Sequence, residues 1–240
     1  MQLTDQGYII NVKKYGESSA ILTVITKHYG KLIGFVKNAL TRKNLGTYQL
    51  GNLVQIEAYT RLEENMFSFK VELISPNSVN FITDSQKLSA LSSFCSLFHT
   101  CLPEKEDIER LYYYVDSFIQ LIHEDNWISH YSYLEFYLLE HLGVGLDLSE
   151  CAATGSVQNL KYVSPKTGKA VSEEAGLPYH NRLFSYPQFI FDNNYSPSRQ
   201  EIIDLLKMTG FFLNKNFFQT HNLKFPSSRA NLLSELFPDT

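Results

Sequence analysis

Cysteine is nearly absent from this chain. Its three cysteines, Cys95, Cys101 and Cys151, are odd in number and too few for a disulfide scaffold. That excludes the small secreted, disulfide-stapled class and points to a reducing compartment. Long apolar runs are missing as well. The stretch LSALSSFCSLFHTCL, from Leu88 to Leu102, is broken by Ser, His and Thr. Nothing approaches the roughly 18 apolar residues of a membrane span. The opening MQLTDQGYIINVKK carries an acid early and lacks the apolar core of a signal peptide. A cytoplasmic protein with no membrane partner is expected.

Catalytic signatures are also missing. Gly143 and Gly145 lack the third glycine of a dinucleotide fingerprint and follow a helical pattern, not a strand. There is no phosphate-cradling loop and no nucleophile elbow around any serine. Cys95 and His99 are four residues apart and would share a helix face, but Cys101 would point elsewhere and a fourth ligand is missing. These read as buried thiols in a helical core. Glu135 and Glu140, near His141, read as a solvated helix face. No catalytic residue, metal or cofactor is expected, and the function sought is binding rather than turnover.

What the chain does have is an uneven distribution of charge. It is acidic overall, at net -4. Residues 1–80 nevertheless hold nine Lys and Arg against six acids, net +3. Residues 81–160 hold three against twelve, net -9, and residues 161–240 nine against seven, net +2. Such asymmetry tells more about partners than an averaged isoelectric point does.

The basic first 80 residues read as strands. GYIINVKKYG, SAILTVITK, KLIGFVKN, LVQIEAYTRL and MFSFKVELIS are rich in β-branched and aromatic residues. Turn signals separate them at Gly16–Ser18, His28–Gly30, Gly51–Asn52 and Glu63–Asn65. Five such strands fit a small barrel. The long connection ALTRKNLGTYQLGN between the third and fourth favours the OB type, with an SH3-like barrel as the competitor. After Pro76 the period turns helical. Helices are predicted over 84–102, over 104–124 with acids crowding the first turn, and over 128–143 ending at Gly143. Residues 145–188 are rich in Gly, Ser and turn dipeptides, with SPKTGKAV a short hairpin. A last helix or pair follows, with Ser196 or Ser198 as N-cap and Pro197 at its start. The fold class is α+β. The expected domains are a barrel over 1–80 and a helical domain over 81–240, with 145–188 as a small insertion.

Strand alternation puts Lys31, Ile33, Phe35 and Lys37 on one face of the third strand, with Leu32, Gly34 and Val36 on the other. Ammonium groups beside an aromatic ring suit a nucleic-acid strand, the cations meeting phosphates and the ring stacking a base. Lys13 and Lys14 end the first strand, Lys27 and Tyr29 lie at a turn, and Arg42 and Lys43 lie in the long connection. The competing reading puts Ile33 and Phe35 in the core.

At this point the residues resemble a known family. YGESSAILTVITKHYGKLIGFVKNALTRKN and QLGNLVQIEAYTRL resemble the N-terminal domain of the RecO family of bacterial DNA repair proteins. LGVGLDLSECAATGSVQNLKYVSPKTGKAVSEEAGLPY resembles its middle insertion, and TGFFLNKNFF its last helices. The resemblance covers nearly the whole chain in order. It implies an OB-fold, a helical domain and a small domain that binds zinc in some members. It further implies binding of single- and double-stranded DNA, annealing of complementary strands, and work with RecR to load RecA on DNA coated by the single-strand-binding protein SSB. RecF and RecA would be indirect partners, and the protein would be nucleoid-associated. DNA contacts are then expected at Lys13, Lys14, Lys27, Tyr29, Lys31, Phe35, Lys37, Arg42 and Lys43. The acidic SSB tail would need an apolar groove with a cation at its rim, for which Arg110, Lys207, Phe211 and Lys215 are candidates. The zinc-binding members carry two Cys-x-x-Cys pairs. Here Cys151 is followed by Thr154, and Ser172 and Ala175 stand at the second pair, so no metal is expected.

Overall fold

The computed structural model of the chain describes residues 1–62, 66–192 and 195–238. The turn expected at Glu63–Asn65 lies outside them. Five strands form a closed barrel: β1 (Gln2–Tyr15), β2 (Ser19–Thr26), β3 (Gly30–Val36), β4 (Leu53–Tyr59) and β5 (Phe67–Ser75). The order around it is β1-β2-β3-β5-β4. Strand β1 is long enough to serve two neighbours. Its first half pairs antiparallel with β4, from Gln2↔Tyr59 to Tyr8↔Leu53, and its second half with β2, from Gly7↔Thr26 to Tyr15↔Ser19. A bulge between Ile9 and Asn11 supplies the bend at the changeover. Parallel pairing of Gly34 with Phe67 and Phe35 with Ser68 closes the ring. This is the OB-like arrangement. Alternating residues such as Leu22, Val24, Leu32, Val54, Ile56 and Phe69 fill the interior.

The long connection is built of turns rather than loose chain. Asn38, at φ +58°, starts it, and its carbonyl accepts from Thr41 Oγ1 and Asn44 Nδ2, both at 3.0 Å. Ala39, Leu40, Tyr48 and Leu50 turn back onto the barrel core.

Helix α1 (Ser85–Cys101) starts at Asp84, whose Oδ1 accepts from the amides of Gln86 and Lys87 at 2.9 and 3.2 Å. Leu91, Phe94, Cys95 and Phe98 form its buried stripe. Leu102 turns extended ahead of Pro103 and ends it. Helix α2 (Glu109–Gln120) begins later than the acid-rich pattern suggested, and only Glu109 lies in its first turn. Residues 103–106 instead run alongside β3, with Lys105 N–H donating to the Lys31 carbonyl at 3.0 Å. Helix α3 (Trp127–His141) ends two residues before Gly143, whose φ of +65° and N–H bond to the Glu140 carbonyl at 3.0 Å make it the expected C-terminal cap.

Two compact units result. The first comprises Met1–Trp127 and Pro226–Thr240, the second Ile128–Phe225. The division does not follow the change from strand to helix near residue 80. A helix the sequence pattern did not resolve, α6 (Ser227–Leu236), packs on α1 inside the first unit. Ser228 Oγ meets Ser96 Oγ at 3.1 Å, and Gln86 and Ser89 bond Glu235.

The second unit holds most of α3 and a three-stranded sheet of order β7-β6-β8. Its strands are β6 (Leu160–Val163), β7 (Ala170–Ser172) and β8 (Phe184–Ser185). The β6–β7 hairpin is the one read from SPKTGKAV. A short turn of helix, α4 (Glu173–Gly176), follows β7. Helix α5 (Arg199–Phe212) carries a capping box in which Ser198 and Glu201 each satisfy the other's backbone. It runs into a π-helical turn at Leu213–Phe218. Glu135 is buried in this unit and accepts from Tyr131 Oη at 2.5 Å and Thr209 Oγ1 at 2.7 Å.

Candidate nucleic-acid interface

Strand register builds a row of outward residues across the barrel. Lys13 on β1 stands opposite Ile21 on β2, Ile21 opposite Phe35 on β3, and Phe35 opposite Ser68 on β5. Neighbouring strands lie about 4.8 Å apart, so the four residues span roughly 14 Å. Leu32 and Val36 point into the core, which settles the face of β3. Ile33 and Phe35 lie outside and are half-buried.

Around Phe35 the surface dips into a groove of about 420 Å³ lined by Tyr15, Ile21, Phe35, Met66, Phe67 and Ser68. Tyr15 meets Phe35 edge-on, with centroids 5.7 Å apart. Tyr15 and Met66 are more than half exposed, at 58% and 52%. Exposed aromatic and sulfur surface in one groove is what a flat π-system such as a base packs against. Lys37 lies two residues beyond Phe35 and is exposed. Arg42 and Lys43 are exposed too, on the connection whose Leu40 N–H donates to Ser18 O at 2.8 Å. That bond holds the connection against the β1–β2 turn, next to Tyr15. None of Lys13, Lys14, Lys37, Arg42 and Lys43 makes an ion pair with a described residue.

The expected residues do not form one patch. Lys27 and Tyr29 are exposed at the β2–β3 turn, at the opposite end of β3 from Lys37. At about 3.3 Å per residue, that strand separates the two groups by on the order of 20–25 Å. Lys31 belongs to neither. It is only 7% exposed, and its Nζ donates to the His99 carbonyl at 2.9 Å. Burial pushes its pKa below the ordinary lysine range, and the neighbouring Glu104 carboxylate only partly opposes this. A phosphate has no route to that ammonium group. Sequence alternation placed Lys31 on the outer face, where it is, but could not show the 103–106 segment lying over it.

Tyr15, Ile21, Met66, Phe67 and Ser68 were not singled out from the sequence. Tyr15 carried a usable signal, since it lies two residues from Lys13 and so shares its face. Met66 and Ser68 carried none, because β5 reaches the groove only through the parallel closure with β3.

The candidates for an acidic tail are divided between the two compact units. Arg110 is an exposed residue of the first unit, and the other three belong to the second. Lys207 and Phe211 are four apart on α5 and share an exposed face. Phe211, 40% exposed, packs on Phe184 with centroids 5.3 Å apart. Lys215 joins them: its Nζ lies 5.4 Å from the centroid of the Phe211 ring, and it also donates to the Pro165 carbonyl at 2.8 Å, which ties the hairpin tip to the π-helical turn.

The thiols and the degenerate metal position are equally specific. Cys95 and Cys101 are buried, and burial raises both, Cys101 to about 12. At Cys151 burial also raises the pKa. Hydrogen bonds from the Ser172 and Thr154 hydroxyls and from the Ser172 and Ala153 backbone outweigh it and bring the thiol to about 6. Cys151 Sγ lies 3.2 Å from Ser172 N and 3.4 Å from Ser172 Oγ. Hydrogen bonds thus surround the one thiol where a metal would need further thiolates. Among the described residues no group of three or more His, Cys, Asp or Glu could hold a metal ion, so these residues do not fit a structural zinc. No helix among the described residues is long and apolar enough to cross a membrane.

Comparison with known proteins bears on the whole chain. The family model described as Recombination protein O N terminal matches residues 1–77, and that described as Recombination protein O C terminal matches residues 82–222. The chain is 43% identical to a DNA repair protein RecO from Wolbachia sp. subsp. Drosophila simulans, over 98% of this chain and 100% of that one. It is 38% identical to DNA repair protein RecO from Bartonella quintana, over 97% and 96% of the two chains. Identity to the same-named protein of Mesorhizobium japonicum is 32%, over 98% and 94%.

Proposed function

This chain belongs to the Recombination protein O family, and on that premise we propose that it acts in DNA repair and recombination by binding DNA on its barrel and annealing complementary strands. The observation that carries the reading is the outward row Lys13–Ile21–Phe35–Ser68, with its aromatic groove and five flanking cations that pair with no described residue. Cations at the rim lower the repulsion between two phosphate backbones and release their counterions. A groove that stacks one or two bases holds a strand without sequence preference, leaving its other base edges exposed for pairing. Nothing in this scheme needs a cofactor or covalent chemistry, so the protein works by binding and not by turnover. Double-stranded DNA would meet the same cations without entering the groove.

In this reading the protein helps RecR load RecA on SSB-coated DNA, with RecF and RecA as indirect partners. Family membership supports those partners. The exposed Lys207–Phe211 face of α5 offers a cation beside an aromatic ring to an acidic, apolar SSB tail.

A fluorescence annealing assay with complementary oligonucleotides, with and without SSB, tests the scheme. Acceleration that falls steeply with added salt is expected in both conditions. Annealing no faster than the spontaneous rate, together with no salt-dependent binding to single strands, overturns it.

A further inference from the structure

The outward row does not stop at Ser68. Ser68 on β5 stands opposite Tyr59 on β4, and Tyr59 opposite Gln2 at the start of β1. The row therefore runs Lys13–Ile21–Phe35–Ser68–Tyr59, across all five strands of the barrel. With neighbouring strands about 4.8 Å apart it measures roughly 19 Å, and Phe35 and Tyr59 are about 10 Å apart along it. The strands of a closed barrel are tilted to its axis. A row perpendicular to them climbs the barrel as it turns, as a single strand wound on that surface would.

Alternation fixes the face on which Tyr59 lies. Val54, Ile56 and Ala58 of β4 belong to the core, and Tyr59 is the next residue, pointing outward with 55% of its surface exposed. Its ring packs on no other described ring, and its hydroxyl bonds no described residue. Ser68, between Tyr59 and Phe35 along the row, is small and exposed. The next outward residue of β4, Glu57, is bonded to Lys70 at 2.7 Å, so no unmatched carboxylate adjoins Tyr59 on its own strand. The ring adds nothing to the barrel interior, and it extends the one row that already carries a cation and a half-buried aromatic.

We propose that Tyr59 is a second base-stacking ring, and that a single strand of DNA crosses the barrel strands along this row, from Lys13 over Phe35 to Tyr59. The inference rests on the reading that the groove binds single-stranded DNA, and it gives that strand a path. A stacking ring has a signature that a cation lacks: it changes affinity without changing the number of phosphates held.

The test is fluorescence anisotropy of a labelled oligo-dT with the full chain, at a series of salt concentrations. Losing one stacked base weakens binding roughly 5- to 150-fold at constant salt. Tyr59→Ala is expected to fall in that range with the slope of log K against log salt unchanged. Tyr59→Phe keeps the native affinity, because the ring stacks and the hydroxyl does not. Tyr113, 67% exposed on α2, serves as control, and Tyr113→Ala leaves the affinity as it was. The chain's single tryptophan, Trp127, is buried, so Tyr59→Trp adds a distinct indole. Oligo-dT is expected to quench its emission and to leave that of Tyr113→Trp unchanged. Native affinity in Tyr59→Ala, or an unquenched Tyr59→Trp, overturns this inference alone as long as the native chain binds. An equal loss in Tyr113→Ala overturns it too, because the effect is then general. A lowered salt slope in Tyr59→Ala overturns stacking as its role. Absence of salt-dependent binding by the native chain overturns the groove itself.

Discussion

On the barrel, Lys13, Lys14 and Lys37 reach into solvent with no ion pair to a described residue. On the three-stranded sheet and the turn beside it, Lys161 bonds Glu173, Lys169 bonds Asp147 at 2.9 Å, and Lys215 bonds a backbone carbonyl. The barrel has a large apolar interior, so its outer face carries no structural duty near the groove. The small sheet has strands of four, three and two residues, and the lysines on it are matched by nearby acids. An exposed cation without a partner keeps its field for a polyanion. A paired one has already been neutralised. Counting lysines therefore says less about DNA binding than asking what each ammonium already touches. Lys70, on the β4–β5 side, pairs with Glu57 and marks where the barrel's basic surface ends.

The contrast breaks most severely if the barrel loses its interior. Phe69, 6% exposed, is a core residue, and Phe69→Ala is expected to cost about 3–5 kcal/mol of stability, read as a lower urea midpoint. Next comes the groove. Removing a stacking ring costs about 1–3 kcal/mol per base, so Phe35→Ala is expected to weaken oligo-dT binding roughly 5- to 150-fold at constant salt. Tyr179, exposed in the second unit, serves as control, and Tyr179→Ala leaves the affinity as it was. Charge follows. The double variant Lys13→Ala/Lys37→Ala should lower the salt slope by about 1.4, two single-strand phosphates' worth. Lys161→Ala/Lys169→Ala should leave it unchanged, and an equal loss there would erase the distinction between the two surfaces.

The smallest effect is in pH. The Cys151 thiol is held near 6, below its ordinary value near 9. A depressed pKa contributes stability that is complete above the unfolded value and lost as pH falls through the folded one. Relative to Cys151→Ser, the native chain should gain melting temperature from pH 6 to 9. Cys101, raised to about 12 by burial, has the opposite sign: its contribution is complete below pH 9 and fades above. Relative to Cys101→Ala, the native chain should lose melting temperature as pH rises beyond 9.

Much of the fold was legible because alternation and turn chemistry are local. Leu32 and Val36 against Phe35 and Lys37 could be assigned to faces from spacing alone, and the long connection pointed to an OB-like barrel. Asp84, Ser198 and Pro103 marked helix ends for reasons contained in a few residues. The site was less legible, because its decisive contacts are distant in sequence. Lys31 is buried by residues some seventy positions later. Lys105 looked like part of an acidic helix, since a cluster of acids before an apolar pattern fits a helix start, and only its backbone bond to Lys31 explains why the chain stays unwound there. The α6 helix escaped notice because its buried face, with Leu232 and Leu236, has meaning only against α1. The same holds for Lys215, whose partner carbonyl lies fifty residues away.

One consequence concerns synthesis. The first compact unit is interrupted: the chain leaves it at residue 127 and returns at 226. A ribosome therefore completes the barrel, α1 and α2, and then about a hundred residues of another unit, before it makes the helix that packs on α1. At roughly 5–20 residues per second, the α1 surface waits some 5–20 seconds for its cover. If the barrel closes as it is made, α1 stands beside it without α6 during that interval. Bridging so long an insertion adds little closure entropy, since that cost grows only with the logarithm of length. The protein's exposure to misassembly is therefore set more by translation time than by the thermodynamics of the finished fold.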